Sequence, residues 1–219
     1  MLIQGHLQAS LKSEVNRVRV VEETLPDGQA IAFVLTGDGR TESKVLSAIA
    51  ERYNGRTRVL LFPKSKRSKK TGLGALEAIE PTYKLTGHAR YLVLIDREHF
   101  SEEELHKKLS ILFRNYRVET TDPYIILTGE FEIYLVVLGE KIAIEEHLAK
   151  LINLETGKEV IQLEHADIDS LKRQIKTFIK TNGHKTITKF IRSCKLKNIE
   201  LAFKPLVEVL KTLESMEKT

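Results

Sequence analysis

The sequence predicts an α/β fold with a mostly parallel sheet, followed by a helical region rich in basic residues. Between about residues 30 and 138, apolar runs of strand length alternate with segments of helical periodicity, which is typical of parallel strands joined by helical crossovers. From about residue 141 onward, only helical patterns remain. We therefore expect an α/β core at 1–140, entered through an N-terminal hairpin, and a helical basic region at 141–219.

The first elements predict one strand–helix–strand unit. Residues 16–23 alternate between polar and apolar, 25–28 carry a turn signal, and 30–36 form a second extended run, which together predict a hairpin leading into the first central strand. Residues 41–53 place apolar side chains at helical spacing, and 57–62 predict the next strand.

The remaining elements continue this alternation and then become helical. Ser101 followed by Glu104 is a capping box, which predicts the start of an amphipathic helix. The other predicted segments are a short helix, three strands and four C-terminal helices, at 73–79, 91–95, 124–128, 131–138, 143–152, 168–180, 185–194 and 199–213. The order of these elements predicts a Rossmann-like core.

Composition excludes several classes of protein. With 42% hydrophobic and 30% charged residues among 219, the chain is globular rather than disordered. No apolar run reaches the length of a membrane span, and residues 1–10 lack the pattern of a signal peptide, so we expect a cytoplasmic protein with no membrane partner. The single Cys194 excludes an internal disulfide and a cysteine-based zinc site, and its apolar neighbours predict a buried position.

Acidic residues follow two of the predicted strands. The segment IAFVLTGDGRTESKVL places Asp38 in a glycine turn after the first strand and Glu42 in the first turn of the next helix. The segment YLVLIDREHF ends a second strand in Asp96 and Glu98. If the two strands are neighbours, Asp38, Asp96 and Glu98 face one space at the carboxyl edge of the sheet. Because Mg²⁺ binds through a few carboxylates plus water and phosphate oxygens, the pattern predicts a magnesium site.

Other interpretations of these residues stay open. A Gly-Asp-Gly turn and an aspartate that ends a strand are both common structural features, and an acidic residue is favoured at a helix N-terminus. The turn is not a phosphate-binding P-loop, because no Gly-Lys-Ser/Thr follows. A nucleotide-binding Rossmann-like enzyme predicts an acidic residue at the end of the second strand, where this chain has Phe62 and Pro63.

The sequence GDGRTESKVL, followed by VLIDRE, resembles the TOPRIM domain of type IA topoisomerases, bacterial-type primases and OLD-family nucleases, and the small stand-alone RloB-like proteins in particular. The resemblance covers roughly 31–138. Asp38 stands where the family has a glutamate that acts as general acid or base, and Glu98 stands at the second aspartate of the family's Asp-x-Asp.

The resemblance implies cleavage of nucleic-acid phosphodiester bonds by a nuclease that requires Mg²⁺ or Mn²⁺. It implies that Asp38 and Glu42 are catalytic and that Asp38, Asp96 and Glu98 hold the metal. Because both departures from the family pattern change a side chain by one methylene, a non-catalytic nucleic-acid-binding protein with a degenerate core is the alternative.

Basic residues are concentrated in two segments of a chain whose net charge is +5. The segment 64–70 is a loop, and 171–199 contains no acidic residue and repeats its basic side chains at helical spacing. A solvated, lysine-rich surface of the kind found in thermophiles is the alternative interpretation. Since such stripes neutralise phosphates, we expect DNA or RNA to be bound by charge and shape. The residues expected to contact nucleic acid are Lys64, Lys66, Arg67, Lys69, Lys70, Arg173, Lys176, Lys180, Lys185, Lys189 and Arg192.

Overall fold

The structure is a computed structural model that describes residues 10–11, 19–22, 30–36, 40–50, 52, 59–62, 72–164 and 166–215. These residues form a three-layer α/β arrangement in which helices cover both faces of one sheet. No helix among them combines the length and the apolar character that a membrane span requires.

Eight strands make up the sheet. They are β1 (Ser10–Leu11), β2 (Arg19–Glu22), β3 (Ala30–Thr36), β4 (Val59–Phe62), β5 (Arg90–Asp96), β6 (Arg117–Thr121), β7 (Tyr124–Thr128) and β8 (Glu132–Leu138). Their spatial order is β1-β2-β4-β3-β5-β8-β7-β6. The five strands from β2 to β8 in this order are parallel, whereas β1, β7 and β6 add antiparallel pairs at the two edges. The predicted α/β class with a mostly parallel sheet is therefore confirmed.

The predicted hairpin between 16–23 and 30–36 is wrong. β2 pairs in parallel with β4, with Arg19 opposite Val59, and antiparallel with β1. β3 has β4 on one side and β5 on the other, so neither of its edges is left for β2. Alternating polarity identified the strand, but the pattern contains no information about its partner.

Within the described ranges, eight α-helices accompany the strands. They are α1 (Arg40–Ala50), α2 (Ile79–Thr86), α3 (Glu102–Leu112), α4 (Ile144–Thr156), α5 (Ile168–Thr181), α6 (Ile187–Ser193), α7 (Leu196–Ala202) and α8 (Lys204–Ser215). The capping box is confirmed, since the Glu104 N–H donates to Ser101 Oγ and the Ser101 N–H donates to the Glu104 carboxylate. The single helix predicted at 199–213 is instead two, α7 and α8. Pro205 explains the break, because proline has no N–H to donate and is tolerated only in the first turn of a helix.

The sheet separates two hydrophobic clusters. Along β5, Leu92 and Leu94 face α1 and the C-terminal helices α4–α8, whereas Tyr91, Val93 and Ile95 face α3 and the segment before α2. Every one of these five residues is buried, which explains the uninterrupted apolar run of a central parallel strand. The C-terminal helices thus share one core with the sheet.

The order of the parallel strands creates a topological switch point between β3 and β5. The chain passes from β3 through α1 to β4 on one side, and then crosses to β5 on the other side of β3. At such a point the two connections diverge and leave a crevice outside the carboxyl ends of the strands, where ligands bind in open α/β folds.

Candidate functional site

Two acidic residues lie at this switch point. Asp96 is the last residue of β5, and Glu42 lies in the first turn of α1, the helix that follows β3. β3 and β5 are neighbours and run parallel, with Thr36 opposite Leu94, which is the condition for their acidic ends to face one space. Both side chains therefore reach the same edge of the sheet.

The carboxyl groups of Glu42 and Asp96 lie close enough together for a hydrogen bond between them to contribute to the pKa of Asp96. Glu42 is 6% exposed, and its Oε2 atom has no hydrogen-bond partner among the described residues. Burial, followed by the hydrogen bond and the charge of Glu42, raises the pKa of Asp96 to about 8. At neutral pH a pKa of about 8 keeps Asp96 largely protonated, because its ionised form would place a second negative charge beside Glu42 at a site partly removed from water.

The N-terminus of α4 holds Asp96 from the other side. The Ile144 N–H donates to Asp96 Oδ1 at 3.1 Å, and this hydrogen bond opposes the rise in the pKa of Asp96. Unpaired N–H groups in the first turn of a helix favour a carboxylate, so the half-buried Asp96 is also fixed in orientation.

A third carboxyl group, Glu145, joins the site from the first turn of α4. It is 5% exposed, and burial raises its pKa, with smaller contributions from the charges of Glu42 and Glu98, while Lys172 opposes the rise. The sequence analysis missed Glu145. The available signal was its position in the helix that follows β8, a strand parallel to β5 and adjacent to it.

The other predicted acidic residues lie apart from this pair or outside the described residues. Asp38, with Gly37 and Gly39, belongs to the segment that the structure does not describe. Glu98 is placed just beyond β5, where its carboxylate lies 3.3 Å from His99 Nε2 and its charge acts on Glu145. The structure thus brings together Glu42, Asp96 and Glu145, with Glu98 at their margin.

The donor set of this site suits a hard divalent cation. Mg²⁺ is usually bound by one or two carboxylates and completes its coordination with water and phosphate oxygens. Glu42 and Asp96 supply such a pair, and the unpartnered Oε2 of Glu42 is an oxygen free to accept a cation. Among the described residues, no group of three or more histidine, cysteine, aspartate or glutamate side chains is arranged to hold a metal ion.

A cleft of about 720 Å³ opens beside the acidic residues, between α4, α5 and the turn that joins α5 to α6. Its lining includes Glu145, residues 183–187 and Thr41, the neighbour of Glu42. Four lysines also line it: Lys172, Lys176, Lys180 and Lys185. We call this feature the α5 cleft.

The predicted basic stripes of 171–199 are exposed, as expected from the burial of Leu171, Ile175 and Ile179 on the opposite face of α5. Lys176, Lys180 and Lys185 line the α5 cleft. The predicted contacts that do not line it are exposed elsewhere on α5 and α6: Arg173, Lys189 and Arg192.

Sequence analysis missed Lys172, although its spacing of four from Lys176 and eight from Lys180 places all three on one face of a helix. The loop residues Lys64, Lys66, Arg67, Lys69 and Lys70 lie outside the described residues.

Cys194 and the aromatic side chains nearby are structural. Cys194 is 2% exposed, its Sγ–H donates to the Phe190 carbonyl, and burial raises its pKa to about 12, so the thiol is not a nucleophile. Phe178 and Phe190 pack edge to face with centroids 5.9 Å apart. They therefore offer no exposed stacking platform.

Comparison of the chain with protein-family models, with curated proteins and with solved structures finds no match in any of the three. The geometry of the site is therefore the basis for inferring what the protein does.

Proposed function

We propose that this protein cleaves phosphodiester bonds in nucleic acid at a TOPRIM-like acidic site that requires Mg²⁺ or Mn²⁺. The observation that carries the proposal is the carboxyl pair formed by the buried Glu42 and the half-buried Asp96 at the β3–β5 switch point, directly beside the lysine-lined α5 cleft.

The energetics of the pair favour a functional role. Burying two carboxyl groups in contact lowers stability unless a proton or a cation lies between them. The raised pKa of Asp96 reflects this cost in the absence of a cation. A purely structural site would gain more from a pairing with a basic side chain, as Arg90 and Glu132 form on the same sheet at 2.7 Å.

The side chains have distinct proposed roles. Glu42 and Asp96 would hold the ion, with Glu145 within reach as a further ligand, and the Ile144 N–H keeps Asp96 oriented. When bound, a divalent ion supplies polarisation of the scissile phosphate and a lower pKa for an attacking water. Asp38 remains our candidate for a general acid or base and Glu98 for an outer ligand, on the basis of the TOPRIM resemblance.

The substrate class follows from charge. The α5 cleft brings four lysines to a site whose own side chains are acidic, so the cleft attracts an anion that the carboxylates alone would repel. Nucleic acid fits both the lysines and the acidic site, because its backbone phosphates can bind the lysines while one of them reaches the ion.

The test is a cleavage assay on single- and double-stranded DNA and RNA with Mg²⁺, with Mn²⁺ and with a chelator. We expect metal-dependent cleavage that falls by about 100-fold or more in Asp96→Asn and in Glu42→Gln, since each removes a charged ligand. Glu159→Gln, an exposed position outside the site, is the control and should keep full activity.

Cleavage that persists in both site variants, or that is unaffected by the chelator, would overturn the proposal. The second candidate is a nucleic-acid-binding protein without catalysis, which is favoured by the lack of a three-ligand group among the described residues. In that case calorimetry would detect no binding of Mg²⁺ or Mn²⁺, while nucleic acid would still bind.

A further inference from the structure

We infer that the α5 cleft receives an unpaired nucleic-acid strand, with its bases against the apolar floor and its phosphates along the lysine rim. This inference rests on the proposed function, because it names the form of substrate that would reach the carboxyl site.

The two sides of the cleft differ in chemistry. Leu148, Ile175, Ile179 and Ile187 contribute apolar surface, and three of them are nearly fully buried in the core beneath. The lysines stand above this floor on the exposed face of α5 and on the turn before α6. An apolar floor with a cationic rim matches a ligand that has flat apolar groups on one side and phosphates on the other.

A duplex does not present that combination. Its bases are stacked and paired inside, so its outer surface offers phosphates and sugars, and only base edges are accessible in the grooves. A single strand exposes the faces of its bases, which bury apolar surface on contact with side chains and do so for any sequence. The apolar floor therefore contributes to binding only when the strand is unpaired.

The lysines of the cleft differ in their ion pairing from five lysines elsewhere on the protein. Within the part of the chain that the structure describes, Lys172, Lys176, Lys180 and Lys185 form no ion pair. Five lysines outside the cleft are paired with acidic side chains: Lys84 with Glu80, Lys108 with Glu77, Lys150 with Glu140, Lys204 with Asp122 and Lys211 with Glu200. Because these four lysines line one cleft and form no ion pair there, their positive charge is available to an external anion.

The cleft also has a direction. Lys172 lies close enough to Glu145 for its charge to oppose the rise in the pKa of that carboxyl group, whereas Lys180 is eight residues further along α5, about 12 Å by the rise of a helix. A strand on the lysines would thus extend from the α5–α6 turn toward Glu42, Asp96 and Glu145. Lys172 is the positioning residue at which the backbone meets the acidic site.

The test is fluorescence anisotropy in a chelator, with a labelled short oligonucleotide as single strand, the same sequence as a duplex, and a mononucleotide as competitor. We expect the wild type to bind the single strand at least about tenfold more tightly than the duplex. The double variant Lys176→Gln/Lys180→Gln should lose about tenfold in affinity for the single strand, and the slope of log K against log salt should become shallower by about 1.4.

The matched control is Lys204→Gln/Lys211→Gln, which removes the same charge from two paired lysines outside the cleft. It should change affinity for the single strand by less than about twofold, since it alters only the overall electrostatic field of the protein. Circular dichroism should show that both double variants fold, because all four substituted lysines are exposed.

Equal binding of duplex and single strand, equal losses in the two double variants, or full competition by the mononucleotide at matched nucleotide concentration would each overturn the inference. Because no metal is present, the measurement is independent of catalysis. Cleavage without preference for a bound single strand would defeat the inference alone, whereas single-strand binding without metal-dependent cleavage would defeat the proposed function alone.

Discussion

Two sets of polar side chains lie at the carboxyl end of the sheet, and they differ in whether their polar atoms have hydrogen-bond partners. His147 is satisfied on both ring nitrogens: the Gly139 N–H donates to Nε2 at 2.8 Å, and Nδ1–H donates to the Ala202 carbonyl at 2.7 Å. Glu42 and Asp96 instead place two acidic groups in contact and leave Glu42 Oε2 without a partner among the described residues.

This difference distinguishes a residue that stabilises the fold, His147, from a pair that is a candidate for function, Glu42 and Asp96. His147 joins the loop after β8 to the end of α7, and the neutral ring that this requires agrees with the lowering of its pKa by burial. It stabilises the fold as it stands. The carboxyl pair lowers stability as it stands, which is the property expected of a site that acquires its counter-charge from a ligand.

The largest effect is expected at His147. His147→Ala leaves the Gly139 N–H and the Ala202 carbonyl buried without partners and opens a cavity, so we expect a loss of about 2–5 kcal/mol in the free energy of unfolding. Urea denaturation followed by circular dichroism measures it. His106→Ala, at an exposed position of α3, should change stability by about 0.5 kcal/mol or less; similar losses in both variants would contradict the role of His147.

Gly139→Ala tests the backbone side of the same bridge. Gly139 has φ of +84°, and a Cβ there would lie 2.5 Å from the Ala143 nitrogen. We expect a loss of about 2–4 kcal/mol from strain and collision. Gly157→Ala is the control: its φ is +64° but nothing lies within 4 Å of the added carbon, so only strain, about 1 kcal/mol, should remain. A smaller loss at Gly139 than at Gly157 would show that the loop adapts freely.

Asp96→Asn should change stability in the opposite direction from His147→Ala. The asparagine can still accept from the Ile144 N–H and donate to Glu42, and it carries no charge, so we expect an increase of about 1–3 kcal/mol at pH 7 after allowance for its partial exposure. Thermal denaturation should show a Tm higher by roughly 2–4 °C for each kcal/mol. Asp122→Asn, at a largely exposed carboxylate, should leave Tm unchanged. A decrease in Asp96→Asn would indicate that the pair is structural.

The smallest effect is a difference in pH dependence. The pKa of Asp96 is raised from 3.8 to about 8 in the folded state, so its contribution is present below pH 3.8 and is lost as pH rises toward 8. The pKa of His147 is lowered from 6.5, so its contribution is present above pH 6.5 and is lost as pH falls below that value. Between pH 6.5 and 8 the stability of the wild type should therefore fall relative to Asp96→Asn, as measured by Tm across this range. Parallel curves for the two proteins would rule out a pKa of about 8 for Asp96.

The parallel sheet and the position of Asp96 in the site were predicted from local patterns in the sequence. The apolar runs at 30–36 and 91–95 are strands because both faces of a central parallel strand are buried. Asp96 was predicted because a carboxylate that ends such a run has to lie at the carboxyl edge of the sheet. Ser101 and Glu104 were predicted as a capping box because that motif involves residues only three apart.

Other features depend on contacts between distant segments. The partner of β2 is β4 rather than β3, since strand pairing is decided by the competition of all strands for the available edges. The short edge strand β6 is half exposed and has no apolar run, so its sequence contains little signal. Glu145 and Lys172 joined the site only because α4 and α5 pack on the face that α1 also covers.

The sequence by itself determined the alternation of strands and helices, the acidic ends of β3–α1 and β5, and a basic segment without acidic residues at 171–199. These features depend on residues that are close together in the sequence, so the side-chain periods of strands and helices are enough to predict them. The tertiary structure decided which strands adjoin, that Glu42 lies close enough to Asp96 to raise its pKa, and that Glu145 lines a cleft with four lysines. Those properties follow from burial and from the packing of residues far apart in sequence, because only the folded chain excludes water from the site and brings the charges together.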